Sequence, residues 1–359
     1  MTRALTVAAL TLTATSLGAC AHVAASSKGL VTPDARRAAI QRAQVWSATD
    51  VPSMDLRTGP TGRGAFAPDA PVTCTYIEKK MSGNTPKFTC VIPPDDEVKV
   101  KYGRHNAEVY AEVAASRLFW ALGFGAEHMY PVSVTCNGCP ATVHPEDALV
   151  ASIQRKMPGR ELQTSKTSGW AWPELDEVQT DAGGAPAAQR DALKLLATFV
   201  QHTDSKADQQ RLICLPADGD RKPSAESECA HPFMLTHDLG ETFGHANSLN
   251  RASVGGVNLK EWSRAPVWKD PAHCVAYLPK SLTGTLENPR ISEDGRKFLA
   301  DLLVQLTDAQ LHDLFDVSRF QNRWDVTSHP EEAASVDQWV AAFKAKRDEV
   351  VNHQCDSDR

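Results

Sequence analysis

Nine cysteines in 359 residues constrain the fold of this chain more than any other feature. One of them, Cys20, follows an N-terminal segment in which Arg3 precedes an uncharged run of small and apolar residues from position 4 to position 19. A basic start followed by a short apolar stretch is typical of a secretory signal peptide, and the run is shorter than the ~20 apolar residues that a membrane-spanning helix needs. Residues 1–19 are therefore predicted to be a signal peptide, and the protein to be exported.

The end of this segment, Leu17-Gly18-Ala19-Cys20, resembles the lipobox of bacterial lipoproteins. The resemblance implies that Cys20 carries a lipid and anchors the protein to a membrane of the bacterial cell envelope, facing the periplasm or the exterior. Simple secretion is the alternative, because Ala19-Cys20-Ala21 also fits the small-x-small pattern of an ordinary cleavage site. Either reading places the other cysteines in an oxidising compartment.

The remaining cysteines form an even set, which in an oxidising compartment favours structural disulfides. They are Cys74, Cys90, Cys136, Cys139, Cys214, Cys229, Cys274 and Cys355. A zinc site would need a second ligand pair near Cys136 and Cys139, and only His128 and His144 lie nearby, at spacings that do not suit zinc. The Asn-Gly dipeptide between these two sulfurs is typical of a turn rather than of the helix start of a redox pair. Metal binding and redox chemistry stay as the alternatives.

Two β-rich runs, residues 72–77 and 87–92, flank a polar segment that contains a glycine and together predict a β-hairpin. If the turn is centred on Ser82, Cys74 and Cys90 lie directly opposite each other, and cross-strand neighbours are within reach of a disulfide. A Cys74–Cys90 bond is therefore predicted.

Alternating and helical patterns continue along the chain, with Asn106 and Gly123 placed to cap the first long helix at its two ends. A pair of cysteines, Cys214 and Cys229, is predicted to close an excursion at residues 216–228. Strands are expected at residues 72–77, 87–92, 98–102, 130–135, 148–154, 211–215 and 232–236, and helices at 107–122, 186–200, 298–306 and 308–315. A capping box of Ser335 and Gln338 predicts a further helix near the C-terminus.

The balance of 38 Lys and Arg against 44 Asp and Glu gives a net charge of −6, which argues against a nucleic-acid-binding protein. Any phosphate site would have to depend on a local group of charges.

The polar loop from His202 to Gln209 carries a carboxylate at Asp204 and an ammonium at Lys206, and a later strand ends at a second carboxylate, Asp238. Two such loops suit phosphoryl transfer, in which the protein holds Mg²⁺ and positions the attacking oxygen.

These loops resemble those of the protein-kinase-like fold. Residues 202–209 are similar to the catalytic loop H-x-D-x-K-x-x-N, with Gln209 in place of Asn, and Asp238-Leu239-Gly240 is similar to D-F-G. The resemblance implies an α+β, two-lobed fold with a small β-rich N-lobe and a mainly helical C-lobe, binding ATP and Mg²⁺. It implies that Asp204 is the catalytic base, that Lys206 steadies the transferred phosphoryl group, and that Asp238 and Gln209 bind the metal.

Upstream residues fit the same resemblance. Lys101 resembles the kinase lysine that holds the α- and β-phosphates, with Lys99 on the same strand face as the alternative. Glu112 is implied as its paired glutamate, with Glu108 one turn earlier as the alternative.

The hairpin turn resembles the S-G-x-x-P-K turn of HipA-like kinases, whose backbone amides and lysine face the nucleotide phosphates. This resemblance assigns Ser82, Gly83 and Lys87 to nucleotide binding. The implied organisation is a signal peptide at 1–19, a lipidated tether at 20–71, an N-lobe at 72–160, a C-lobe at 161–325 and a helical tail at 326–359.

The expected activity is an ATP- and Mg²⁺-dependent phosphotransferase acting on an unidentified acceptor, and transfer of a nucleotidyl group is included in that reading. The alternative is a catalytically inactive kinase-like lipoprotein that binds a ligand or partner, because ATP is scarce outside the cytoplasm and Gln209 departs from the motif. Taken singly, the lysines on residues 98–102 and the glutamates on the following helix also fit solvated surfaces.

Overall fold

Strands and helices are mixed along the chain in a computed structural model, which describes residues 30–81, 83, 85–216, 228–244, 256–279, 281–323 and 334–355. None of the helices in these ranges is long and apolar enough to cross a membrane. The helices are α1 (Pro33–Gln41), α2 (Glu108–Ala121), α3 (Pro145–Ala148), α4 (Ala187–Phe199), α5 (Leu259–Arg264), α6 (Glu293–Leu303), α7 (Asp308–Val317) and α8 (Val336–Val351). The strands are β1 (Ala70–Ile77), β2 (Lys87–Ile92), β3 (Asp96–Tyr102), β4 (His128–Asn137), β5 (Ala151–Arg155), β6 (Arg160–Glu161), β7 (Gln210–Cys214), β8 (Pro232–Thr236), β9 (Trp268–Asp270) and β10 (Val275–Ala276).

The first five strands close into a barrel in the order β1-β2-β3-β5-β4. The closure comes from β1 and β4, which pair in parallel, whereas the other neighbours are antiparallel. Sequence patterns locate these strands but do not predict the barrel, because the β1–β4 pairing joins segments that lie far apart in the sequence. On β3, Val98 and Val100 are buried inside the barrel, so the alternating residues Lys99 and Lys101 lie on its outer face.

Helix α2 crosses that outer face and is buried almost all round, rather than along one stripe. The side chain of Asn106 accepts a hydrogen bond from the backbone N–H of Glu108 at 3.1 Å, close to the predicted cap. The helix ends before Gly123, whose φ of +83° suits a glycine. Because Glu108 and Glu112 lie one turn apart on this helix, the burial of α2 carries both carboxylates into the interior.

The hairpin of β1 and β2 carries the predicted Cys74–Cys90 disulfide, with a Cα–Cα distance of 5.7 Å. The predicted register is wrong by two residues. Tyr76 lies opposite Cys90, so the pairing is centred on Gly83 rather than on Ser82, and the two cysteines are diagonal neighbours. Diagonal residues that share one face of a twisted hairpin are still close enough for a disulfide.

The other cysteines also pair within the described residues. Cys214 and Cys229 form the predicted bond, Cys136 pairs with Cys139, and Cys274 pairs with Cys355 near the end of the chain. The prediction of structural disulfides therefore agrees with the structure.

Residues 20–71 are predicted to be a tether, but the described part of this segment, residues 30–71, packs against the folded body. Ile40, Val45, Val51 and Leu56 are buried in the main hydrophobic core together with the helices that follow. This core lies outside the barrel and also holds α2. The segment is part of the folded body, because its scattered apolar residues fill spaces that later helices create and that no local pattern reveals.

The helix α8, within the predicted helical tail, is packed against the main hydrophobic core. Its N-terminus has the predicted capping box, in which the Ser335 hydroxyl accepts from the Gln338 backbone. Trp339 and Phe343 of this helix pack against Trp262 and Phe315. The division into two lobes at residue 160 stays a prediction.

Removing the disulfide of Cys274 and Cys355 with serine substitutions should lower the free energy of unfolding more than removing that of Cys136 and Cys139. The first bond closes a loop of 81 residues in sequence separation and the second a loop of 3. Loop-closure entropy predicts a difference of about 2 to 3 kcal/mol between the two double variants. Chemical denaturation under oxidising conditions measures it, and equal losses would contradict the expectation.

Candidate active site

Lys101 is at the centre of the candidate site. Its side chain is only 1% exposed, and its ammonium lies 2.6 Å from Glu108 Oε2, 2.5 Å from Glu112 Oε1 and 3.4 Å from Asp238 Oδ1. Burial opposes the charge of Lys101, but the three neighbouring carboxylates raise its pKa well above the ordinary value. Lys101 is therefore a cation held in place by carboxyl groups from two other segments of the chain.

Both glutamates of α2 contact this lysine, so the alternatives Glu108 and Glu112 are both part of the site. Burial raises the pKa of Glu112 well above its usual value, although the charge of Lys101 opposes this shift. Burial also works against ionisation of Asp238, but Lys101 outweighs it and holds the Asp238 pKa well below the usual range. Lys99, on the same face of β3, is only partly buried.

The loop between α4 and β7 brings the predicted catalytic residues together. Asp204 Oδ2 accepts hydrogen bonds from Lys206 Nζ at 3.0 Å and from Gln209 Nε2 at 2.8 Å. Partial burial alone would lower the pKa of Lys206, but its bond to Asp204 raises the pKa. His202 at the start of the loop is fully buried beside Trp172, and burial lowers its pKa to about 4. His202 is thus a neutral packing residue at ordinary pH.

Backbone hydrogen bonds join this loop to Asp238. The carbonyl of Gln209 accepts from the backbone N–H of His237 at 2.8 Å and of Asp238 at 3.2 Å. The Asp238 side chain also accepts from the N–H of Gly240 at 3.1 Å. These bonds extend the antiparallel pairing of β7 with β8, so the relative position of the two loops follows from the sheet.

Gln209 contacts the predicted base. Its side-chain amide nitrogen donates a hydrogen bond to Asp204 Oδ2 and so helps to hold that carboxylate in place. A group of three carboxylates, those of Glu108, Glu112 and Asp238, has oxygens that all lie within 4.8 Å of one another. Carboxylate oxygens are the ligands that Mg²⁺ prefers. Because Glu108 Oε2 and Glu112 Oε1 bind the Lys101 ammonium closely, Asp238, 3.4 Å from it, is the carboxylate best placed to hold a divalent cation. The ligand role of Gln209 stays a prediction.

The hairpin turn approaches the same cluster. Ser82 lies outside the described residues, whereas Gly83 has a φ of +79° and lies beside the Lys87 ammonium, about 3.0 Å from where a Cβ would stand. The hydroxyl of Thr85 donates to Glu108 Oε1. The turn is therefore tied to the lysine–carboxylate cluster through Glu108.

A cavity of about 130 Å³ lies beside the two loops. Its lining includes Glu161, Asp208, Gln210, Arg211 and His237. Since Asp208 belongs to the first loop and His237 directly precedes Asp238, the cavity adjoins the predicted catalytic residues. Its wall is mainly polar, which suits a hydroxyl-bearing ligand.

Two groups at the site were not singled out from the sequence. Glu241, three residues after Asp238, has a pKa raised to about 7 by burial and by the nearby carboxylates of Asp204, Glu108 and Asp238. Glu127 is buried and pairs with Arg211, and the His237 ring lies 3.3 Å from it. The position of Glu241 directly after the D-x-G segment could have identified it, whereas no local pattern marks Glu127.

No protein-family model matches this chain, and no curated protein matches its sequence. Among solved structures, the chain is similar to the proinflammatory kinase CtkA of Helicobacter pylori. The TM-score is 0.42 with 12% sequence identity, over 80% of this chain and 95% of that one. This is a distant likeness, and the chemistry of the site rests on the residues described above.

The raised pKa of Glu241 should make stability depend on pH. The pKa of this carboxyl is about 7 in the folded protein and 4.5 in the unfolded chain. The free energy of unfolding therefore falls as the pH rises between these values, because the carboxyl ionises first in the unfolded chain. The substitution Glu241→Gln should therefore become stabilising relative to wild type across this range, by about 3 kcal/mol at its upper end. Urea denaturation at a series of pH values measures this, with the exposed Glu146→Gln as the matched control. A constant difference across the range would count against it.

Proposed function

We propose that this protein is an ATP- and Mg²⁺-dependent phosphotransferase. The observation that carries the proposal is the pairing of Lys101 on β3 with Glu112 on α2, with Asp238 3.4 Å from the same ammonium. A lysine held by a glutamate and facing a metal-binding aspartate is the arrangement that positions nucleotide phosphates. The second loop adds the carboxylate of Asp204 and the ammonium of Lys206, which are 3.0 Å apart.

The residues divide the chemistry between them. Asp204 accepts the proton of the acceptor hydroxyl, and both of its described bonds, from Lys206 and Gln209, go to Oδ2. Lys206 neutralises charge on the transferred phosphoryl group, and Lys101 holds the phosphates that stay on the nucleotide. Asp238 would hold Mg²⁺, which would neutralise phosphate charge when bound.

The cavity beside the loops suits the sugar of the nucleotide. Glu161 and Asp208 on its wall offer carboxylate oxygens, which accept hydrogen bonds from ribose hydroxyls. A ligand seated there with its phosphates toward Lys101 would span both parts of the site. Transfer of a nucleotidyl group in place of a phosphoryl group remains within this proposal.

A second candidate function is ligand or partner binding without turnover. The observation that favours it is the number of anions around Lys101, since contacts to Glu108, Glu112 and Asp238 occupy all three N–H groups of its ammonium. A phosphate can reach this lysine only if one carboxylate moves away.

We propose in addition that the protein is exported and lipid-anchored in the bacterial cell envelope through Cys20. The sequence from Leu17 to Cys20 supports this. The disulfides among the other cysteines support it as well, since such bonds persist in oxidising compartments.

Calorimetric titration of residues 21–359 with ATP and Mg²⁺ tests the proposed activity. Lys101→Met should weaken nucleotide binding about 10- to 100-fold, because it removes a charge-assisted contact to phosphate. Lys99 lies on the same face of the strand, and the matched control Lys99→Met should weaken nucleotide binding less. Equal losses for the two variants, or no binding by wild type, would overturn the proposal.

Asp204→Asn should lower turnover about 100-fold or more while nucleotide binding is retained, because it removes only the proton acceptor. Mass analysis of the protein and of candidate acceptors after incubation with ATP measures turnover. An added phosphate and an added nucleotidyl group differ clearly in mass, so the same measurement identifies the transferred group. If Asp204→Asn turns over as fast as wild type, the assignment of the base is wrong.

Lipidation is tested by metabolic labelling of the full chain with an alkyne fatty acid in a bacterial host. The wild type should incorporate the label and fractionate with membranes, and Cys20→Ser should lose both properties. A variant of one of the paired cysteines, Cys139→Ser, serves as the control and should retain the label. Labelling that survives Cys20→Ser would contradict the proposed anchor.

A further inference from the structure

The two glutamates on Lys101 differ in what else they hold. Glu112 is the more deeply buried, with 3% of its side chain exposed against 10% for Glu108. Glu108 belongs to the first turn of α2 and contacts two other segments besides the lysine. Its Oε1 accepts from the hydroxyl of Thr85 in the hairpin turn, while its Oε2 accepts from Lys101.

Glu108 also lies directly against the segment that follows Asp238. A Cβ added at Gly240 would stand 2.6 Å from Glu108 Cγ and 2.8 Å from its Cδ, so a glycine is required for the side chain to lie there. One carboxylate thus joins the turn, the lysine strand and the D-x-G segment, which are the three parts that surround a phosphate in the proposed function.

We propose that Glu108 is a positioning residue that ties the turn at Thr85 to Lys101 until the phosphate of a ligand replaces it on the lysine. This inference rests on the proposed role of Lys101 in binding phosphate. Of the two glutamates, Glu108 is the better placed to leave, because it is the more exposed, whereas Asp238 is also held by the backbone N–H of Gly240. Once displaced, Glu108 still lies at a helix N-terminus, where a negative charge is favourable. Glu112 has no such exit and stays paired with the lysine.

The consequence is a coupling between ligand and turn. Release of Glu108 frees both a donor of Lys101 and the hydroxyl of Thr85 at the same step. A phosphate-bearing ligand that displaces the Glu108 carboxylate can therefore bind both the Lys101 ammonium and the Thr85 hydroxyl. An uncharged ligand does not displace Glu108, so the contacts of Glu108 with Lys101 and Thr85 remain.

Calorimetric titration with inorganic tripolyphosphate, which carries phosphate charge without a base or sugar, tests the inference. Glu108→Gln should bind this probe about tenfold more tightly than wild type, the size of one charge-assisted hydrogen bond. The isosteric change one turn later, Glu112→Gln, should bind it more weakly. If Glu108→Gln shows no gain, the inference is overturned. Should Glu108→Gln fail to fold, Glu108→Asp, which is one methylene shorter and cannot reach both partners, takes its place with the same expected gain.

A general loss of negative charge is distinguished by Glu241→Gln, measured at a pH of about 8, where Glu241 is mainly ionised. Glu241 lies in the same electrostatic field but has no described contact with Lys101 or Thr85. Glu241→Gln should raise the affinity for tripolyphosphate clearly less than Glu108→Gln does, and an equal rise would overturn the inference. Amide hydrogen exchange gives a second readout. The turn should exchange faster in Glu108→Gln and in Thr85→Val than in Glu112→Gln, and equal rates in all three would contradict the tie.

Parallel titrations with ATP and Mg²⁺ separate this inference from the proposed function. If Glu108→Gln gains affinity for tripolyphosphate but no form of the protein binds ATP, the inference stands and the phosphotransferase proposal fails. If wild type binds ATP and loses it with Lys101→Met, while Glu108→Gln gains nothing, the proposed function stands and Glu108 is only a structural partner of the lysine.

Discussion

The burial of a single lysine among carboxylates is the constraint on which the site depends. A cation with 1% of its side chain exposed is tolerable only if acidic groups surround it, and those around Lys101 come from two separate segments of the fold. Two come from α2 and one from the residues after β8. The barrel strand, the crossing helix and the small sheet must therefore assemble together for any of these charges to be stable.

The small sheet of β6, β7 and β8 has the complementary task of fixing the two loops. Its β7–β8 register places Gln210 opposite Thr236, and the next residues along each strand continue as the Gln209 and Asp238 loops. Because the carbonyl of Gln209 accepts from two successive N–H groups, the loops cannot shift past each other without breaking both bonds. The distance between the predicted base and the predicted metal ligand is thus set by backbone pairing.

The disulfides join several different parts of the fold. Cys74–Cys90 fastens the hairpin that carries the turn at Thr85, and Cys214–Cys229 closes the excursion between β7 and β8. The pair Cys274 and Cys355 joins the segment before α6 to the end of the chain. An oxidising environment would therefore favour the assembled arrangement.

The sequence by itself determined seven of the ten described strands, most of the helices and the identity of the charged groups, because periodicity, caps and short motifs are local properties. Asp204, Lys206 and Asp238 were recognisable from their spacing, and Cys74 with Cys90 from their hairpin. Only the tertiary structure decided that the barrel closes, that residues 30–71 belong to the core, and that Glu108 and Glu112 share one lysine. These outcomes depend on contacts between distant segments, and Glu127 and Glu241 acquire their electrostatic environments only when those segments meet.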